Sequence, residues 1–300
     1  MGIQSSSLEK RRLRSTRIAA TVFLFPALII LLIFIAYPIV DSFRISAFEW
    51  NGISSVKKFV GLGNWKTLST DMAFWRAFTN NIIIMALSLL IQLPIAMALA
   101  TFLDIGGKKL NIFKVVYFLP LLMSSVAVGF LFKYALSSTN GILTGISKAF
   151  GGGMVDVLGS PKYALYAVIG VICWQYIPFY MVYFLAAYSG LSYEIYEASI
   201  IDGASRNQYF WRIALPMMKG SIQNAAILSM VGSLKYFDLI YVMTGGGPGN
   251  ASELMATYMY KNAFVTFKMG YGSTVAGGMF ILITTISLIT MKLLRGKEGV

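Results

Sequence analysis

Glu197-Ala198-Ser199, Asp202-Gly203-Ala204 and Ile213-Ala214-Leu215-Pro216 form a polar island between two long apolar segments. Catalytic chemistry has few other places to sit. The chain contains no His, and its one cysteine, Cys173, lies inside an apolar run. A disulfide within the chain and His-based or paired-Cys metal sites are therefore excluded, and Cys173 reads as packing. A nucleotide-hydrolysing site needs G-x-x-x-x-G-K-[ST], because amides cradle the phosphates and a hydroxyl holds the metal. Gly107-Lys108-Lys109 and Gly296-Lys297-Glu298 supply the Gly-Lys pair without the hydroxyl or the earlier glycine. If ATP drives anything here, it is hydrolysed on another chain.

Two kinds of solute chemistry can be sought in the apolar segments. A proton-coupled carrier needs ionisable groups deep in the bilayer. Lys235 and Asp238 are the candidates, three residues apart and so on one helical face, where the favoured reading is a mutually neutralised structural pair near the outer end. Recognition of a sugar needs flat aromatic rings against C–H faces and polar groups against hydroxyls. Tyr176, Tyr180 and Tyr183 recur at i, i+4 and i+7, as do Ser229, Ser233 and Tyr236, so each trio shares a side of its helix. An interfacial aromatic belt and small-residue helix packing are the plainer accounts of each face alone. Their position on either side of the 192–219 stretch favours a solute pathway.

The elements that hold these residues are set by hydropathy. Of 300 residues 57% are hydrophobic and 12% charged, against about 45–50% and 25% in soluble domains. Six segments, about 18–40, 81–103, 115–134, 163–191, 222–243 and 271–291, are long enough to cross about 30 Å of hydrocarbon. The net charge of +13 is dispersed next to these spans and forms no single basic face, which points to membrane topology and away from nucleic acid. Lys10, Arg11, Arg12, Arg14 and Arg17 precede the first span, whose length exceeds a signal-peptide core, so it reads as a retained helix. With residues 1–17 inside, the inner segments hold fourteen basic residues and the longer outer loops nine. Both termini, including the tail 292–300, and the 192–219 loop are therefore expected in the cytoplasm, leaving 18–291 as one membrane domain.

Within the loop, Ser192 can cap a helix over Tyr193 to Ile201 with Glu194 in its first turn. Gly203 permits a bend, and a second helix from about Ser205 is expected to stop at Ala214, because the residue before Pro216 is pushed out of helical geometry. Two short helices at an angle make a knob that fits a cleft in a soluble partner. Gly151-Gly152-Gly153 and Gly245-Gly246-Gly247-Pro248-Gly249 mark turns outside the spans.

The motif formed by Glu197-Ala198-Ser199, Gly203 and Ile213-x-Leu215-Pro216 resembles the EAA loop, E-A-A-x3-G-x9-I-x-L-P, of binding-protein-dependent ABC importer permeases, with Ser199 for the second alanine. Phe59-Val60-Gly61-Leu62-Gly63-Asn64-Trp65 is similar to the segment after the first helix of carbohydrate-uptake permeases. Phe237-Asp238 with Thr244-Gly245-Gly246-Gly247-Pro248 is similar to the signature of the maltose-type first permease.

The resemblance implies an all-α polytopic membrane protein with six transmembrane helices, a type I ABC importer permease fold and cytoplasmic N- and C-termini. It implies a permease subunit without catalysis of its own, carrying a di- or oligosaccharide inward across the cytoplasmic membrane of a bacterium or archaeon by alternating access. The implied partners are a second permease, expected to be a different chain, two cytosolic ATPase subunits holding ATP and Mg, and an extracytoplasmic solute-binding protein. Glu197, Ala198, Ser199, Asp202, Gly203, Ile213, Leu215 and Pro216 would then couple to the ATPase, and Gly245 to Pro248 would be structural or form a gate. A stand-alone secondary carrier or channel is the competing reading, and it would depend on Lys235 and Asp238.

Overall fold

The computed structural model describes residues 16, 19, 21–106 and 110–295. The expectations for Lys108 and Lys109, for most of segment 1–17 and for the end of the tail lie outside these residues. Charge-poor apolar runs form the long helices. Helix α1 (Thr21–Ile45) has a mean hydropathy of 2.7, and none of its most apolar stretch is buried within the chain. It widens into a π-helical turn at Leu32–Ala36. The cause is Pro38, which cannot donate to the preceding turn, so Tyr37 N–H bonds back five residues to Leu32.

A short antiparallel pair, β1 (Phe48–Glu49) and β2 (Lys58–Phe59), follows, with Phe48 opposite Phe59 and Glu49 opposite Lys58. The short helix α2 (Gly63–Thr70) then explains the Phe59-to-Trp65 segment. Asn64 Nδ2 donates to the carbonyls of Ser46 and Phe48 at 2.9 and 3.0 Å, and Trp65 Nε1 donates to Ser46 Oγ at 3.0 Å. These bonds fold the connection back onto the end of α1.

Helix α3 (Met72–Gly106) runs 35 residues through Pro94, starting well before the expected 81–103 span. The expected 115–134 span is not one helix. Helices α4 (Asn111–Leu122) and α5 (Ser125–Ala135) meet at 93°. Pro120 sits near the end of α4, and Met123 and Ser124 take extended backbone angles. The freed Met123 carbonyl is bonded by Gln175 Nε2 at 3.3 Å, so a neighbouring helix satisfies the break.

Helix α6 (Ile142–Ala149) precedes α7 (Ala164–Ser189), the most buried long helix, which packs along α3. Ile84, Ile172, Met181 and Phe184 form the centre of that contact. The loop helices are α8 (Tyr193–Ile201), α9 (Arg206–Tyr209) and, after a π turn at Phe210–Ala214, α10 (Leu215–Met217). The expected 222–243 span is also divided, into α11 (Lys219–Ser233) and α12 (Asp238–Met243). Helix α13 (Met255–Tyr260) and a π turn at Lys261–Val265 lead to α14 (Met269–Arg295), which packs on α1 and α11. Among the described residues, four helices are long and apolar enough to span a bilayer, or five with the bent α4–α5 pair.

Candidate functional site

The 192–219 loop folds as two short helices about Gly203. Ser192 Oγ accepts from Glu194 N–H at 3.3 Å and so caps α8. Gly203 has φ +78°, a conformation that costs an L side chain, and Ala204 N–H then closes onto Ser199 O at 2.9 Å. Ser205 and Gln208 make a reciprocal capping box for α9. The expected stop before Leu215 does not occur. Leu215 keeps helical angles, φ −60° and ψ −46°, because the π turn moves its bond to Phe210 O and absorbs the missing donor of Pro216.

Ser199 is buried and donates to Tyr196 O at 2.6 Å, while Tyr196 stands edge-on to Tyr209 with centroids 5.0 Å apart. A small residue is thus required at 199 by packing within the loop. Glu197, Ala198, Asp202 and Pro216 are exposed, and Ile213 and Leu215 are half-buried. Ile201 and Trp211 add exposed apolar surface. Between this knob and the end of α3 lies a cavity of about 420 Å³ lined by Asp104, Tyr188, Tyr196, Arg206 and Tyr209. Burial, then the nearby Asp104 and Tyr196, push the Tyr209 phenol above its ordinary value.

Deeper in the bundle, Tyr176, Tyr180 and Tyr236 wall a second cavity of about 410 Å³ with Phe179, Gly232, Lys235 and Asp238. Tyr176 and Tyr236 meet at 5.6 Å between centroids. The other expected residues are not in this wall. Ser229 and Ser233 are buried behind it, and Tyr183 packs edge-on to Phe184 in the core. The Lys235–Asp238 expectation is corrected outright. Leu234 ends α11 and Asp238 begins α12, so the two residues share no helical face. Both are exposed to the cavity, and no ion pair joins them among the described residues.

Ser125 in the wall, and the buried amides of Gln92 and Gln175 outside it, carry no local sequence signal that assigns them to the site. Ser125 was hidden because the α4–α5 bend was read as a straight span. Gln92, only 1% exposed on α3, approaches both Tyr236 and the buried Cys173. Gln175 Oε1 and Ser233 Oγ are buried without a hydrogen-bond partner among the described residues. A glutamine inside an apolar span signals a costly amide without saying what it serves.

At the opposite end, Gly245 and Gly246 take φ +57° and +82°, and Gly247–Pro248 is cis. The turn is tied by Thr244 Oγ1 to Ser252 Oγ at 2.7 Å and by Ser252 Oγ donating to Gly247 O at 2.6 Å. Beneath it the fully buried Glu253 carboxylate accepts a bond from Lys261 Nζ. A Cβ at Gly246 would fall within 2.4 Å of that carboxylate, so only glycine fits. Nearby, Asp71 accepts from Tyr258 OH at 2.5 Å and from Tyr271 OH, beside a cavity of about 970 Å³. Burial pushes the Asp71 carboxyl up, but bonds from both tyrosines and the amides of Ala73 and Phe74 outweigh it and hold it below its ordinary value. Burial, then the bond to Asp71, pushes the Tyr258 phenol up to about 12.

The chain thus carries a surface knob at one end of a helical bundle, a tyrosine-lined cavity and a Gly-tied turn. Residues 92–297 fit the family of binding-protein-dependent transport system inner membrane components. The chain belongs to this family. It is a multi-pass membrane permease subunit of an ABC importer, a class of subunit that is not itself catalytic. The permease is 33% identical over 287 residues to the probable ABC transporter permease protein YurN of Bacillus subtilis, covering 94% of this chain and 98% of that one. It is 30% identical to the multiple sugar-binding transport system permease protein MsmF of Streptococcus mutans, covering 92% and 95%. Its fold matches a permease chain of a bacterial ABC transporter involved in alginate import, with a TM-score of 0.81 at 24% identity over 98% of this chain and all of that one. That likeness identifies the type I importer permease fold.

Proposed function

We propose that the permease carries a di- or oligosaccharide into the cytoplasm by alternating access, with the Tyr176–Tyr180–Tyr236 cavity as its part of the sugar pathway. The observation that carries this reading is the cavity wall itself. Three tyrosines line one space, and Lys235 and Asp238 add polar groups beside them. That combination suits a polyhydroxylated ring better than an ion or an apolar solute. Relatives of the same length, covered over nine-tenths of both chains, include permeases named for multiple sugar-binding and lactose transport systems.

In this reading the chain crosses the membrane six times with both termini cytoplasmic, α11, the 234–237 break and α12 together making one crossing. The 192–219 knob, led by Glu197, Ala198 and Gly203, docks on one of two ATPase subunits that hold ATP and Mg, with a second, different permease completing the cavity. An extracytoplasmic solute-binding protein delivers sugar to the end carrying Gly245 to Pro248. Purification tests the scheme. The isolated permease is expected to show no ATPase activity, and the assembled complex with its binding protein is expected to hydrolyse ATP faster when a sugar is loaded. Gradient-driven uptake by the permease alone would sink the reading.

A further inference from the structure

One buried side chain joins the Gly-rich end to the wall of the cavity. Asn81 of α3 is fully buried. Its Nδ2 donates to Leu234 O at 3.2 Å, and its Oδ1 accepts from Met255 N–H at 3.0 Å. Leu234 is the residue that ends α11, and Met255 is the first residue of α13. A helix C-terminus leaves carbonyls unpaired and an N-terminus leaves amides unpaired. One amide therefore satisfies an end of each of two helices, from positions 153 and 174 residues away.

The neighbouring Asn80, 6% exposed, acts on the adjoining segment only. Its Nδ2 donates to Ala251 O and Glu253 O at 3.1 and 2.9 Å. Asn80 thus holds the peptide that carries Glu253 under the Gly246 turn. Asn81 alone reaches across to α11. The residues directly after its Leu234 bond are Lys235, Tyr236 and Asp238, all of which line the cavity.

We propose that Asn81 is a positioning residue that links the Gly-rich segment to the α11–α12 break, so that a displacement of α13 moves Tyr236 and Lys235. A bidentate side chain suits this task. An amide offers one donor and one acceptor at fixed separation, and neither bond can be replaced by water without opening the packed interface. Displacement at the end where a binding protein would dock is then felt at the solute wall without a continuous helix between them. The reading rests on the permease assignment and does not depend on which solute is carried.

The test uses the assembled importer in a Cys173→Ala background, with a spin label at Lys235→Cys or at the exposed Asn250→Cys, compared nucleotide-free and after vanadate trapping with ATP. Both labels are expected to change spectrum in otherwise native protein. In Asn81→Asp, which keeps the acceptor but loses the donor, and in Asn81→Ser, which is too short to span both bonds, the label at 250 is expected to respond while the response at 235 is lost. Asn80→Ser is expected to retain the response at 235. Equal responses at both sites in the Asn81 variants would overturn the link, as would no response at 235 with Asn81 intact. If neither Asn81 variant assembles, Asn81 is a folding element and the proposal falls. Absence of sugar-stimulated ATPase would count against the carbohydrate assignment and leave this result standing.

Discussion

Tyr176 on α7 and Tyr236 in the break after α11 meet with ring centroids 5.6 Å apart and planes at 56°, and together they form part of the wall of one cavity. Both side chains line the space in which the sugar is proposed to pass. Replacing Tyr236 or Tyr176 with Ala is expected to raise the sugar concentration for half-maximal transport at least about tenfold, equivalent to about 1.4 kcal/mol. Tyr236→Phe, which keeps the ring, is expected to lose less. Transport assays on the reconstituted complex decide this, and unchanged kinetics in both alanine variants would remove the cavity from the pathway.

Glu197 and Gly203 separate docking from folding. Glu197 is exposed, so Glu197→Lys is expected to change stability by no more than about 0.5 kcal/mol. Its coupling is expected to fall at least about tenfold, measured as stimulated ATPase in the assembled complex. Gly203→Ala has open space for the new methyl, yet its φ of +78° costs roughly 1–2 kcal/mol in an L residue. Lower thermal stability is therefore expected from the second variant, and a stable Gly203→Ala protein would show that the loop relaxes away from that angle.

The Gly246–Glu253–Lys261 contact is expected to be sensitive on all three sides. Glu253→Ala leaves Lys261, two-thirds buried, without its partner, at a cost of about 3 kcal/mol, the low end for a broken buried pair. Gly246→Ala drives a methyl into the same carboxylate. Thermal unfolding in detergent should show both losses, and the double variant Gly246→Ala/Glu253→Ala should be less destabilised than the sum, because the clash has gone. Strict additivity would mean that the two residues do not meet.

The Asp71 network gives a pH dependence of defined sign. The native Asp71 pKa is lowered, so its contribution is present above the ordinary aspartate value of about 3.9 and is lost as pH falls through the lower native value. Tyr258 has the opposite sense. Its pKa is raised to about 12, so its contribution is complete below about 10 and is lost as pH rises through 12. Unfolding temperature measured against pH should decline on both limbs. Asp71→Asn should flatten the acid limb, and an unchanged acid limb in that variant would place the titrating group elsewhere.

Hydropathy alone located the long helices α1, α3, α7 and α14, because a run of apolar residues needs only its own length to mark a span. The short-range signals were also legible. Ser192 caps α8 and Gly203 takes positive φ as their chemistry requires, since both depend on backbone within a few residues. What the sequence concealed were the breaks. Pro120 marked a kink without giving its 93°, and nothing local showed that Gln175 would hold the loose Met123 carbonyl. Pro216 signalled a helix end, but a π turn absorbed it.

The division of α11 from α12 had the same origin. Residues 222–243 read as one apolar span, and a period of 3.6 placed Lys235 beside Asp238 and put Ser229, Ser233 and Tyr236 on one face. Asn81, more than 150 residues earlier, accepts Met255 and donates to Leu234, and the helix ends there. Beyond that end Tyr236 lines the cavity, the serines lie behind it and the two charges fall on different elements. Sequence therefore determined which segments are long and apolar and where the 192–219 knob bends, since both follow from local chemistry. Tertiary structure decided which side chains reach the cavity, because the breaks are satisfied by residues distant in sequence, Gln175 at Met123 and Asn81 at Leu234.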